Sequence, residues 1–206
     1  MKNCRNIAII PARIGSQRLK WKNLILIKGK PLIYYAIKAA KDSKKFDKIY
    51  INSDSIIFKE IARRYNVDFY LRPQKLGKSD TKSDDVVFDF LQNIKCKNLF
   101  WINPIAPLQS KDDIIKSVKL FNKNNCDNLF SVVENKVHFL YQNKPVNFLK
   151  KEKIQKTQDI NPVSQINYNI MSWNSKKFLT NYKKFGYAFF CGKISTINTS
   201  KISNII

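Results

Sequence analysis

Short apolar runs alternate with helix-period segments through the first two-thirds of this chain, and that alternation narrows the possible folds more than any single motif. Ile7–Ala12, Lys48–Ile51, Val67–Leu71, Asn98–Ile102 and Asn128–Val133 have the length and composition expected of short buried strands. Between them, Pro31–Lys41 repeats apolar residues at helical spacing (Leu32, Ile33, Ala36, Ile37, Ala40), and Ile56–Tyr65 and Asp84–Ile94 behave likewise. Lys111–Asn122 follows Ser110, a natural N-cap, and carries Asp112 and Asp113 in its first turn. Strand–helix alternation of this kind predicts a three-layer α/β fold, a mostly parallel sheet flanked by helices. Right-handed crossovers put the loops that follow the strands on one edge, where Arg13–Asn23, Asn52–Asp54, Arg72–Ser83 and Asn103–Pro107 can converge.

That edge is where open α/β sheets bind ligands. The first loop, Arg13–Asn23, holds Gly15, Ser16 and the cations Arg13, Arg18, Lys20 and Lys22. Backbone N–H groups and cations together suit a polyphosphate, and the arginine fork can grip phosphate oxygens bidentately. A solvated basic loop beside a core strand is the plainer reading of the same residues.

The motifs resemble those of the sugar-activating cytidylyltransferases, above all the N-acylneuraminate branch. That family reads approximately A-R-x-x-S-K-R-L-P-x-K-N, of which this chain keeps Ala12-Arg13, Ser16, Arg18-Leu19 and Lys22-Asn23 and departs at Gln17 and Lys20. In register, Gly29-Lys30-Pro31-Leu32-Ile33, Asn52-Ser53-Asp54, Leu71-Arg72-Pro73, Ser79–Ser83 and Asn103–Leu108 are similar to the motifs that follow. The resemblance covers residues 5–123 and thins from 134 onward. It implies a nucleotide-diphospho-sugar transferase-like fold that transfers CMP from CTP to a sialic-acid-like nonulosonic acid for surface glycans such as lipopolysaccharide, with release of pyrophosphate.

On that resemblance, Arg13 and Lys22 are the catalytic candidates. Ala12, Arg13, Ser16, Arg18, Asn23, Arg72 and Ser83 would bind CTP, and Asn103 and Asn167 would contact the sugar acid. The family's D-I-D-T motif, whose aspartates hold Mg²⁺, is matched by Thr196-Ile197-Asn198-Thr199 with both carboxylates gone. Asn198 is left as a poor metal ligand, because magnesium prefers carboxylate oxygens, and Mg²⁺ would then arrive on the triphosphate. Tyr168 replaces the glycine of P-N-G, Gln109 the arginine of P-L-R, and Thr157 an arginine. The alternative implied is a catalytically impaired paralogue that binds nucleotide or pairs with an active subunit. For Asp54 the reading favours a turn residue over a site residue, and for His138 a packed residue over a catalytic base.

The net charge of +23, from 38 basic and 15 acidic residues, raises nucleic acid as a rival partner. Only six of the 38 are arginine and the lysines are scattered, which reads as compositional drift and not as a nucleic-acid stripe. Cys4, Cys96, Cys126 and Cys191 form no C-x-x-C pair, so a reducing cytoplasm is expected. No apolar segment near the N-terminus is long enough for a signal or a span, so no membrane insertion is expected. Residues 1–206 are expected to form one domain, with 134–170 as a dimerisation arm. There His138–Tyr141 and Val146–Leu149 suggest a β-hairpin that pairs with a second copy.

Overall fold

A computed structural model describes residues 4–16, 19–150 and 153–199. The element order is β1 (Cys4–Ala12), α1 (Leu32–Ser43), β2 (Lys48–Ser53), α2 (Ile57–Arg64), β3 (Asp68–Leu71), α3 (Ser83–Asn93), β4 (Cys96–Ile102), α4 (Lys111–Lys123), β5 (Asn128–Asn135), β6 (Val163–Asn174), α5 (Ser175–Phe185) and β7 (Ile194–Asn198). Among the described residues the main sheet has seven strands in the order β7-β5-β6-β4-β1-β2-β3. β6 runs antiparallel to both its neighbours, and the other pairings are parallel. The expected three-layer α/β class is therefore the observed one.

The alternation of side chains along β1 explains the layering. Ala8, Ile10 and Ala12 face one core with α1, α2 and α4, while Ile7 and Ile9 face the other with α3 and α5. Both faces of β1 are covered, so it reads as an unbroken apolar run. α1 is delivered by a small hairpin, Leu26–Ile27 against Lys30–Pro31, whose two-residue turn places Lys28 and Gly29 at φ 47° and 74°. Both turn residues need positive φ, which is why the motif carries glycine. α4 starts as expected, with the Ser110 hydroxyl accepting from the Asp113 N–H at 3.0 Å.

Beyond residue 134 the chain departs from expectation in two ways. β6 and α5 complete the sheet and its second helical layer, with Trp173 fully buried and its Nε1 donating to the Phe189 carbonyl at 2.8 Å. The hairpin is shorter than expected: Leu140–Tyr141 pairs with Lys144–Pro145 around Gln142 and Asn143, both at positive φ. Asn147 ties it down, accepting from the Phe139 N–H and donating to the Val137 and Asn161 carbonyls. His138 packs edge-on against Phe148, as a packed residue should.

β6 slips register against β5 between Ile166 and Met171. Within this bulge Tyr168 sits at φ 59°, so the backbone takes the left-handed form that glycine adopts freely, although the glycine itself is absent. The bulge lies at the edge where the parallel strands end, since the Asn103 N–H, just past β4, donates to the Asn169 carbonyl at 2.9 Å.

Candidate active site

The loops after β1, β3 and β4 do converge. A cleft of about 310 Å³ is lined by Arg13, Ser16, Lys22 and Asn23 from the first, Arg72 and Ser83 from the second, and Asn103 from the third. The end of β2 supports it from below: Asn52 is fully buried and its Oδ1 accepts from Arg72 Nη1 at 3.3 Å. Ala12 is fully buried at the strand end that launches the first loop. Arg18 lies outside the described residues.

Local structure fixes these positions. After β1 the chain turns through Trp21 at φ 53° into a short 3-10 turn, Lys22–Leu24. This brings Asn23 back to β1, where its Nδ2 donates to the Arg13 carbonyl at 3.4 Å. Arg13 Nη1 in turn donates to the Lys78 carbonyl at 3.3 Å, joining the first loop to the 72–83 strap. Arg72 is 4% exposed. Burial lowers its pKa, Asp54 opposes that shift, and Arg13 adds to it. A guanidinium keeps its proton even so, so Arg13, Lys22, Arg72 and Lys78 make the cleft cationic.

Asp54 lies in the bend after β2, as expected of a turn residue, and it is also a structural link. Its Oδ1 accepts from the Ile14 N–H at 3.2 Å and lies 3.5 Å from Arg72 Nη2. Asn103 holds its loop through Oδ1, which accepts from the Ile105 N–H, and donates from Nδ2 to the Tyr168 carbonyl at 3.3 Å. Asn167 is outside the cleft wall. Its amide braces the bulge, accepting from the Ser131 hydroxyl and the Asn169 N–H and donating to Thr199 Oγ1 at 3.0 Å. Thr196 and Asn198 are exposed on edge strand β7, paired with Phe130 and Val132.

Four buried polar atoms without a hydrogen-bond partner belong to residues in this cleft or directly beneath it: Asn23 Oδ1, Asn52 Nδ2, Arg72 Nε and Trp101 Nε1. Buried polar groups are nearly always bonded, so these four leave hydrogen-bonding capacity unused in and beneath the cleft. Trp101 and Lys78 were missed from the sequence. Trp101 reads there as one more apolar residue of its strand, and only its place two residues before Asn103 hints at the cleft.

Thr196 and Asn198 offer a hydroxyl and an amide oxygen where a magnesium site needs carboxylate. Among the described residues no group of three or more His, Cys, Asp or Glu side chains could hold a metal ion. The donor set at β7 does not fit a protein-held Mg²⁺.

Residues 7–190 match the sequence profile described as Cytidylyltransferase. The chain belongs to this family. It is 36% identical over 120 residues to an N-acylneuraminate cytidylyltransferase of Escherichia coli O18:K1:H7, covering 56% of this chain and 28% of that protein. It is 32% identical over 136 residues to a pseudaminic acid cytidylyltransferase of Campylobacter jejuni, covering 63% of this chain and 59% of that one. The chain thus spans less than two thirds of the length of either relative. By fold it is similar to a CMP-2-keto-3-deoxy-manno-octonic acid synthetase complexed with CTP, at TM-score 0.72 and 11% identity, over 95% of this chain and 90% of that one. A 4-diphosphocytidyl-2C-methyl-D-erythritol synthase of Anaerococcus prevotii follows at TM-score 0.69 and 15% identity, over 98% and 91% of the two chains. This family's nucleotide-diphospho-sugar transferase-like architecture agrees with the sheet order and layers described above. No helix among the described residues is long and apolar enough to cross a membrane.

Proposed function

We propose that the cleft binds CTP and transfers CMP to a nonulosonic acid of the sialic or pseudaminic class, releasing pyrophosphate. The observation that carries this reading is that Arg13, Ser16, Lys22, Asn23, Arg72, Ser83 and Asn103, distant in sequence, line one cationic cleft. The sugar hydroxyl attacks the α-phosphate, the bond to the β-phosphate oxygen breaks, and pyrophosphate leaves. Such chemistry needs positioning and charge stabilisation more than covalent help. Arg13 and Arg18 hold the triphosphate and Lys22 meets the charge that develops at the α-phosphate. Asn23 takes the ribose, Arg72 and Ser83 hold the cytidine, and Asn103 contacts the sugar acid. Asn167 serves that contact indirectly, by bracing the bulge whose Tyr168 carbonyl receives the Asn103 amide. Any Mg²⁺ would enter on the triphosphate and not on protein carboxylates.

Pyrophosphate release from the purified chain with CTP and N-acetylneuraminic or pseudaminic acid tests the reading. Turnover with CTP and none with UTP is expected. CTP binding without turnover on either acid would favour the impaired-paralogue alternative, for which the carboxylate-free Thr196 and Asn198 speak.

The same reading places the arm against a second copy. Leu140, Tyr141, Val146, Leu149 and Ile154 are between 55% and 85% exposed, and so small a hairpin has no core of its own. A two-fold pair that covers these side chains is the simplest closed assembly. The arm also carries Lys136, Lys144, Lys150 and Lys153, which repel across such a contact, so added salt should strengthen it. Light scattering should give twice the 24.1 kDa chain mass at high salt. A single-chain mass at both low and high salt, at tens of micromolar protein, would rule the pair out.

A further inference from the structure

Asp54 is not in the wall of the nucleotide cleft, yet it contacts the elements that shape it. Its side chain is 10% exposed. Oδ1 accepts from the backbone N–H of Ile14, in the β1 loop, and faces Arg72 Nη2 at 3.5 Å. The 72–83 strap leaves β3 with the Arg72 N–H donating to the Ser53 carbonyl at 2.8 Å, then returns so close that a side chain on Gly77 would overlap the Asp54 carboxylate. Glycine is needed there for close approach, not for its backbone freedom. A second cavity of about 940 Å³, lined by Asp54, Gly77 and Asn93, shares Arg72 and Lys78 with the cleft wall. Arg72 is nevertheless only 4% exposed, and a charge so buried needs a fixed counter-charge. Asp54 supplies it, with Asn52 Oδ1 as the second anchor.

We propose that Asp54 is a positioning residue for the nucleotide: a latch that sets Arg72, the strap and the β1 loop in their CTP-binding arrangement. This rests on the reading of the cleft as a CTP site. The physical basis is pre-organisation, because an arginine already oriented loses less freedom when the ligand arrives. Asp54→Asn keeps the shape and the acceptor for the Ile14 N–H but removes the charge that holds Arg72. Gly77→Ala pushes an unchanged carboxylate away from Arg72 and should act in the same direction. The two changes share one mechanism, so their effects on CTP should not add.

The test is CTP titration by calorimetry, with steady-state kinetics on N-acetylneuraminic and pseudaminic acid, for the full chain and Asp54→Asn, Gly77→Ala and the double variant. Asp54→Asn should weaken CTP by about tenfold, the effect of one lost charge-assisted contact, and raise the KM for CTP similarly. The KM for the sugar acid and kcat should stay within about twofold, a split that general loosening of the fold would not produce. An Asp54→Asn variant that binds CTP as tightly as the parent overturns the latch alone. So does one that loses CTP affinity and sugar affinity by similar factors. A parent chain that does not bind CTP overturns the reading of the cleft and the latch with it.

Discussion

Replacing Arg72 with methionine should destabilise the fold by about 3 kcal/mol. Breaking a buried pair leaves the other charge uncompensated, which costs about 3–5 kcal/mol, and the 3.3 and 3.5 Å contacts of Arg72 place it at the lower end. Methionine fills the volume but leaves Asp54 and Asn52 Oδ1 without their partner. For a chain of 206 residues the melting temperature should fall by roughly 6–12 °C. Urea unfolding should show a lower midpoint with an unchanged slope. A midpoint within error of the parent would mean that the Asp54–Arg72 pair is not part of what holds the strap.

Arg13→Ala should separate binding from folding. Arg13 is partly exposed, and its guanidinium bonds to the carbonyl of Lys78, so stability should fall by less than about 1 kcal/mol. Its fork faces the cleft that receives the triphosphate, and a charge-assisted contact is worth about 1.5–3 kcal/mol. CTP affinity should therefore drop by about ten- to hundredfold. Calorimetry that finds unchanged affinity in a folded Arg13→Ala variant would remove Arg13 from the proposed site.

The central strands were legible in the sequence because both of their faces are buried. β1 and β4 carry apolar residues on both faces and read as apolar runs, and the loops at their ends carry the chemistry. β6 was not legible. Its first half, from Val163 to Tyr168, is largely solvated and polar, and the bulge at Tyr168 breaks the two-residue period. α5 hid for a related reason: Phe178, Leu179 and Tyr182 are its contacts with the core, set among Lys176, Lys177, Lys183 and Lys184.

The same contrast runs through the site. Arg13, Lys22 and Asn23 share one loop, so their chemistry is visible as a local pattern. Asp54 looks like a turn residue, because a carboxylate at a strand end satisfies that reading equally well. Its contacts with Ile14 and Arg72 join positions 40 and 18 residues away, and only the parallel crossovers bring these together. Asn167 shows the opposite case: a residue matched to a sugar contact by motif has its amide engaged within the bulge by Ser131, Asn169 and Thr199.

A structure of this chain with CTP bound is the most direct test of the account. The triphosphate should lie along Arg13, Ser16 and Lys22, with the ribose at Asn23 and the base between Arg72 and Ser83. Nucleotide seated in the 940 Å³ cavity, against Tyr70, Asp89 and Asn93 and away from Arg13, Ser16, Lys22 and Asn23, would contradict it.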